Sequence, residues 1–127
     1  MEQAAKVLVV DDEPNVLRSL VQYLTIEDFE VETASNGEEA LEKVESFIPE
    51  LILLDVMMPG MDGFEVLDKI KAMPQFTETP VIMLTAKDQS SDVLKGYQSG
   101  ATSYLVKPFN LDELVETINQ TLAGSKQ

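Results

Sequence analysis

The chain of 127 residues has no cysteine, no histidine and no tryptophan. Without cysteine there is no disulfide, no thiolate nucleophile and no Cys-ligated zinc. Without histidine there is no Ser-His-Asp or Cys-His catalysis, no imidazole metal ligand, and no phosphohistidine carried by this chain itself. Any metal must then sit among oxygens, which selects hard divalent cations such as Mg2+, Mn2+ or Ca2+. Bases are scarce: 9 Lys and Arg face 23 Asp and Glu, for a formal net charge of −14. Such a surface repels a phosphate backbone and speaks against direct nucleic-acid or membrane binding. Long apolar runs are also missing, since none approaches the ~18 residues that cross a bilayer. Met1 to Lys6 lacks the basic and apolar stretches of a secretory signal. A cytoplasmic protein is the expectation.

What the chain has is order. Its length suits one domain, with a core over about 6–122 and a frayed tail over 124–127. The hydrophobic fraction of 44% argues against disorder. Short apolar runs alternate with longer amphipathic ones. Lys6-Val7-Leu8-Val9-Val10 reads as a strand. Over 14–26, Val16, Leu17, Leu20, Val21 and Leu24 fall at helical spacing, and Pro14 suits a first helical turn. Residues 31–34 read as a strand and Ser35-Asn36-Gly37 as a turn and cap. A helix over 38–47 places Ala40, Leu41 and Val44 on one face. Leu51-Ile52-Leu53-Leu54 is again continuously apolar. A loop leads to a helix over 64–72, with Phe64, Leu67 and Ile70 inward, ending near Pro74. Strands follow at 81–84 and 104–106. Between them lies a weaker helix over 91–99, with Gly96 inside and Gly100 as its cap. A closing helix carries Leu111, Leu114, Val115, Ile118 and Leu122. Five such βα units with doubly buried strands predict an open, doubly wound parallel α/β sheet. A closed eight-unit barrel needs ~250 residues and is excluded.

In such a sheet, ligands bind beyond the carboxyl ends of the strands. The apolar runs end on Asp11-Asp12, Asp55, Thr85 and Lys107. Each alone has an ordinary structural reading: Asp11-Asp12-Glu13 as a helix cap, Asp55 as a turn residue, Thr85 as a local turn, Lys107 as a surface lysine. Met57, Met58 and Met61 read as packing rather than as a sulfur ligand set. Together the strand ends make a site of three carboxylates, one hydroxyl and one ammonium. Three carboxylates this close repel, and one takes up a proton unless a cation intervenes. A hard divalent cation resolves the conflict and retains waters for exchange with phosphate oxygens. Lys107 adds a fixed positive charge. Such cations stabilise a transferring phosphoryl group, and a central carboxylate can attack phosphorus to form an acyl phosphate.

Asp11-Asp12, then Asp55 with Met57-Met58-Pro59-Gly60-Met61-Asp62-Gly63, then Thr85-Ala86, then Lys107-Pro108-Phe109, resemble the receiver domain of two-component response regulators. The resemblance spans roughly Lys6 to Leu122. It implies a flavodoxin-like (βα)5 fold with strand order 2-1-3-4-5. It makes Asp55 the phosphoacceptor. Asp12 becomes a direct Mg2+ ligand (Mn2+ being an alternative), Asp11 an acidic-pocket residue acting mostly through water, and the Met57 backbone carbonyl a further metal ligand. Lys107 pairs with the phosphoryl group, and the Lys107-Pro108 bond is cis. Thr85 and Tyr104 match the switch pair. The chain departs from the common pattern at Thr102-Ser103, where an acidic pair is frequent; a small local effect is expected. Met57 and Lys87 occupy positions that tune phosphoryl lifetime, and bulky Met57 implies a long-lived phosphoryl group.

The function so implied is a phosphorylation-controlled signalling switch. A sensor histidine kinase or phosphotransfer protein donates, and the domain catalyses its own phosphorylation and dephosphorylation without being a turnover enzyme. A surface made by the 91–99 helix, the last strand and the last helix then controls a downstream protein. The protein is a monomer or a phosphorylation-dependent dimer, either a stand-alone regulator or a receiver cut from a longer chain. Three rivals are weaker. An aspartate-nucleophile phosphatase wants Asp-x-Asp, and Asp55-Val56-Met57 lacks the second acid. A phosphorylation-independent interaction module would not need all five site residues. A flavodoxin would not place Asp11-Asp12-Glu13 where a flavin phosphate binds.

Overall fold

In the computed structural model, residues 4–56, 58–86 and 101–125 are described. The β-rich run after Ala5 forms β1 (Lys6–Val10), followed by α1 (Pro14–Ile26), β2 (Glu30–Ala34), α2 (Gly37–Phe47) and β3 (Leu51–Asp55). Then come α3 (Gly63–Lys71), a 3-10 turn (Pro74–Phe76), β4 (Val81–Ala86), β5 (Ser103–Lys107) and the closing helix α4 (Leu111–Ser125). All strand pairs are parallel and the order is β2-β1-β3-β4-β5, the flavodoxin-like arrangement. The helix expected over 91–99, with Gly96 and Gly100, lies outside the described residues.

The central strands are apolar on both faces because both faces are covered. Successive side chains point to opposite sides of a strand, and the two cores follow that alternation. Leu8, Val10, Ile52, Leu54, Val81 and Met83 pack beneath α2 and α3. Val7, Val9, Leu51, Leu53, Ile82 and Leu84 pack beneath α1 and α4. Leu20 and Leu24 of α1, and Leu114, Ile118 and Leu122 of α4, form the inward stripes on that second face.

Several boundaries differ from the sequence pattern. The helix expected over 64–72 starts one residue earlier, because Asp62 Oδ1 accepts the Glu65 N–H at 3.0 Å and so caps it. Pro74 does not end the ordered structure there. It opens a 3-10 turn that buries Phe76, and the half-buried Lys71 ammonium holds this turn by donating to the carbonyls of Thr77 and Thr79. α4 continues to Ser125, two residues into the stretch expected to fray. At the start of β5, Thr102 Oγ1 accepts the Val81 N–H at 3.2 Å while the Thr102 N–H donates to the Val81 carbonyl at 2.8 Å. A hydroxyl thus extends the ladder by one backbone donor at the entry to β5.

The entry to α2 is a reciprocal cap. The Glu39 N–H donates to Asn36 Oδ1 at 2.8 Å. The Ser35 N–H and hydroxyl donate back to Glu39 Oε1 at 2.6 and 2.9 Å. The Ser35 N–H, helped by its hydroxyl, holds the Glu39 carboxyl below its ordinary range. A carboxyl that titrates lower when folded stabilises the fold above its unfolded pKa of about 4.3. That contribution is lost as pH falls through the folded value. Glu39→Gln is therefore expected to flatten the loss of stability between about pH 5 and pH 3 relative to wild type. Urea denaturation at stepped pH checks this; parallel acid limbs in the two proteins would contradict it.

Candidate functional site

Parallel strands bring their carboxyl ends to one edge, and β1 and β3 are neighbours. Asp11 follows β1 and Asp55 ends β3, so the two acids meet there. Asp11 is 0% and Asp55 4% exposed, while Asp12 is half-buried. One carboxylate oxygen from each of Asp11, Asp12 and Asp55 lies within 4.8 Å of the others. Lys107, ending β5, reaches across: its Nζ lies 3.0 Å from Asp11 Oδ2 and 3.3 Å from Asp55 Oδ1. Burial works against the charged ammonium, but the hydrogen bond to Asp11 and the charges of Asp55 and Asp11 outweigh it, so Lys107 titrates above its ordinary range. The following Lys107-Pro108 bond is cis.

Of the three residues Asp11-Asp12-Glu13 read as a possible helix cap, only Glu13 takes the cap position, and no side chain caps that helix. Asp11 Oδ1 instead accepts the Glu13 N–H at 3.0 Å, which turns the chain and leaves Oδ2 for Lys107. Thr85 is 1% exposed on β4, one residue beyond Leu84, the register partner of Asp55. Tyr104 sits lower on β5, paired with Met83 and packed on the α2/α3 core. The structure therefore brings Asp11, Asp12, Asp55 and Lys107 together, places Thr85 on the strand beside them, and sets Tyr104 back toward the core. Met57 and Lys87 lie outside the described residues. Beside the site, an apolar groove of about 480 Å3 has Lys107 on its wall with Val16, Leu20, Pro108 and Phe109.

Two uncharged residues hold the site together: Val56, and Gly63, which the motif contains without showing how closely it approaches Asp55. Val56 is fixed by donating its N–H to the Leu84 carbonyl at 3.1 Å. Gly63, at the start of α3, donates its N–H to the Val56 carbonyl at 2.9 Å. It lies so close that a Cβ there would stand 2.3 Å from the Asp55 carbonyl oxygen and 2.8 Å from Val56 Cα. The Asp62-Gly63 pair was the available signal, but it reads equally as a simple turn.

Among the described residues, three convergent carboxylates with one ammonium leave a surplus of negative charge. Hard oxygen donors of this number suit Mg2+ or Mn2+, which take one or two carboxylates and keep waters. Among the described residues, these are the acids close enough to hold an ion.

The geometry defines an oxygen-donor, carboxylate-centred site at the edge of a doubly wound sheet. Comparison with known proteins gives the family: the response regulator receiver domain model matches residues 7–119, and the chain belongs to that family. The transcriptional regulatory protein ResD of Bacillus subtilis is 42% identical over 122 residues, 96% of this chain and 50% of that protein. The response regulator Rre1 of a Synechocystis strain is 38% identical over 124 residues, 97% of this chain and 54% of that protein. The chain thus spans about half the length of these curated relatives. The crystal structure of the chemotaxis response regulator CheY4 of Vibrio cholerae is similar at a TM-score of 0.88 and 38% identity, covering 94% of this chain and 99% of that one.

Because backbone atoms of β3 cannot yield to a new methyl group, Gly63→Ala is expected to destabilise the fold by about 1–3 kcal/mol, as overpacking does. The midpoint of urea unfolding measures it. A midpoint equal to wild type would show that α3 can withdraw from Asp55.

Proposed function

We propose that the protein is a phosphorylation-controlled switch that takes a phosphoryl group from a partner's phosphohistidine onto Asp55 in a Mg2+-dependent reaction. The observation that supports this most is the placement of Asp55: buried at a strand end, 3.3 Å from the Lys107 ammonium and grouped with Asp11 and Asp12. In this reading Asp12 and Asp55 would hold the ion directly, Asp11 would act through its waters, and the Met57 carbonyl would complete the protein ligands. The bound ion supplies positive charge to the phosphoryl oxygens.

The remaining chemistry belongs to the chain. An Asp55 carboxylate oxygen attacks phosphorus, an O–P bond forms as the P–N bond breaks, and the imidazole leaves with the electron pair and is protonated from solvent. Lys107, already between Asp11 and Asp55, turns its ammonium to a phosphoryl oxygen. Thr85 donates its hydroxyl to another. Thr85 is buried, so this movement vacates space on the core side, and Tyr104 turns further inward. Residues 91–99, β5 and α4 carry the change to a downstream protein, as a monomer or a phosphorylation-dependent dimer. The net charge of −14 opposes DNA contact by this chain. In this reading a bulky residue two positions after Asp55, Met57, hinders an attacking water and prolongs the phosphoryl state.

Intact-mass spectrometry after incubation with Mg2+ and a small acyl phosphate tests the chemistry. One phosphoryl adduct is expected, dependent on Mg2+, absent in Asp55→Asn, and persisting after the donor is removed. No adduct, where calorimetry shows that Mg2+ binds, would turn the reading toward a phosphorylation-independent interaction module. The switch has its own test by amide exchange with and without the adduct. Altered protection is expected at 91–99 and around Tyr104; identical protection there would remove the switch.

A further inference from the structure

Gly37 opens α2 with a negative φ, so its backbone does not need glycine. What it provides is room. A Cβ on Gly37 would lie 2.9 Å from Met61 Sδ, 2.9 Å from Val66 Cγ2 and 3.0 Å from Met61 Cβ. The thioether of Met61, from the loop between β3 and α3, fills the place of the missing side chain. That loop leaves directly from Asp55. Its base is pinned by the Gly63 N–H on the Val56 carbonyl, and Met58 is buried at 7% exposure. Gly60, at φ +79, gives the loop its bend. Met61 on Gly37 is a further anchor, and it ties the loop to another βα unit.

We infer that Gly37 and Met61 form a positioning latch, which holds the loop after Asp55 in register with Asp11 and Asp12 for metal binding and phosphoryl transfer. The inference rests on the phosphoacceptor reading of Asp55. Helix propensity argues that glycine is kept for space, because alanine is the better helix former. A methyl group at Gly37 expels the flexible Met61 thioether, and it also presses on Met61 Cβ and on the buried Val66 of α3, so the loop must move off α2. Gly37→Ala opens the latch from the α2 side, at a cost in stability from the pressure on Val66, and Met61→Ala opens it from the loop side with no such pressure.

The experiment compares wild type, Gly37→Ala, Met61→Ala, the double variant and Met61→Leu. It reads Mg2+ affinity by calorimetry on the unphosphorylated protein, the rate of adduct formation at Asp55, and amide exchange over 58–62. Each alanine variant is expected to exchange faster over 58–62. Mg2+ binding should weaken and adduct formation should slow by about tenfold, as when a metal ligand's support is removed. The double variant should be no worse than the worse single one, since both break one contact. Met61→Leu, which refills the space, should recover most of the loss. Unchanged exchange over 58–62 would overturn the latch. So would released exchange with unchanged affinity and rate, or effects that multiply in the double variant. Should wild type bind Mg2+ and form no adduct, the phosphoacceptor reading fails, and Mg2+ affinity with loop exchange alone decides the latch.

Discussion

Asp11 and Asp55 lie at the ends of adjacent strands almost without contact with water, and each buried carboxylate costs several kcal/mol unless a counter-charge answers it. Lys107 answers both at once, and it can do so only because β5 is held in register against β4 with its last residue at the same edge. The two cores serve this arrangement. Those beneath α1 and α4, and beneath α2 and α3, remove water from both sides of the strands whose ends carry the charges. Among the described residues one ammonium faces three acids, so the charge is left unbalanced in the direction that a divalent cation corrects.

The same geometry separates this chain from other chemistries hosted on doubly wound sheets, where fold alone decides little. A flavin phosphate would meet Asp11, Asp12 and Glu13 in the β1–α1 turn. An Asp-x-Asp nucleophile pair is impossible at Asp55, where the next residue, Val56, is buried and the one after it is Met57. Sequence and structure agree here because the discriminating feature is which side chain stands at each strand end.

Much of this was legible beforehand, for a physical reason. Strands buried on both faces need continuous apolar runs, so Val7–Val10 and Leu51–Leu54 stand out, and the first polar residue after each run marks the edge where ligands bind. Asp55, Thr85 and Lys107 stand at that edge in the sequence pattern and in the structure alike. Periodicity has no means of reporting how closely two segments approach. Gly63 against the Asp55 carbonyl and Gly37 under Met61 are questions of tenths of an ångström between residues far apart in the chain, and both read as ordinary turn glycines. The Pro74–Phe76 turn was hidden because proline signals a stop, while the carbonyls bound by Lys71 and the buried Phe76 ring keep the chain ordered after it. The role of Asp11 was only half legible: its two oxygens divide between the Glu13 N–H and Lys107, and nothing local in the sequence foretells the second.

The Lys107–Asp11 pair joins residues 96 positions apart. During synthesis, Asp11 and Asp55 leave the ribosome long before the lysine that neutralises them. Until β5 docks, the first three strands carry an uncompensated acidic edge, which keeps those acids hydrated and that edge open. The charge balance of the site is therefore completed only by the last strand of the sheet. A chain truncated before Lys107 would lose that balance together with α4, so the electrostatic closure of the edge and the covering of the second core arrive with the same stretch of chain.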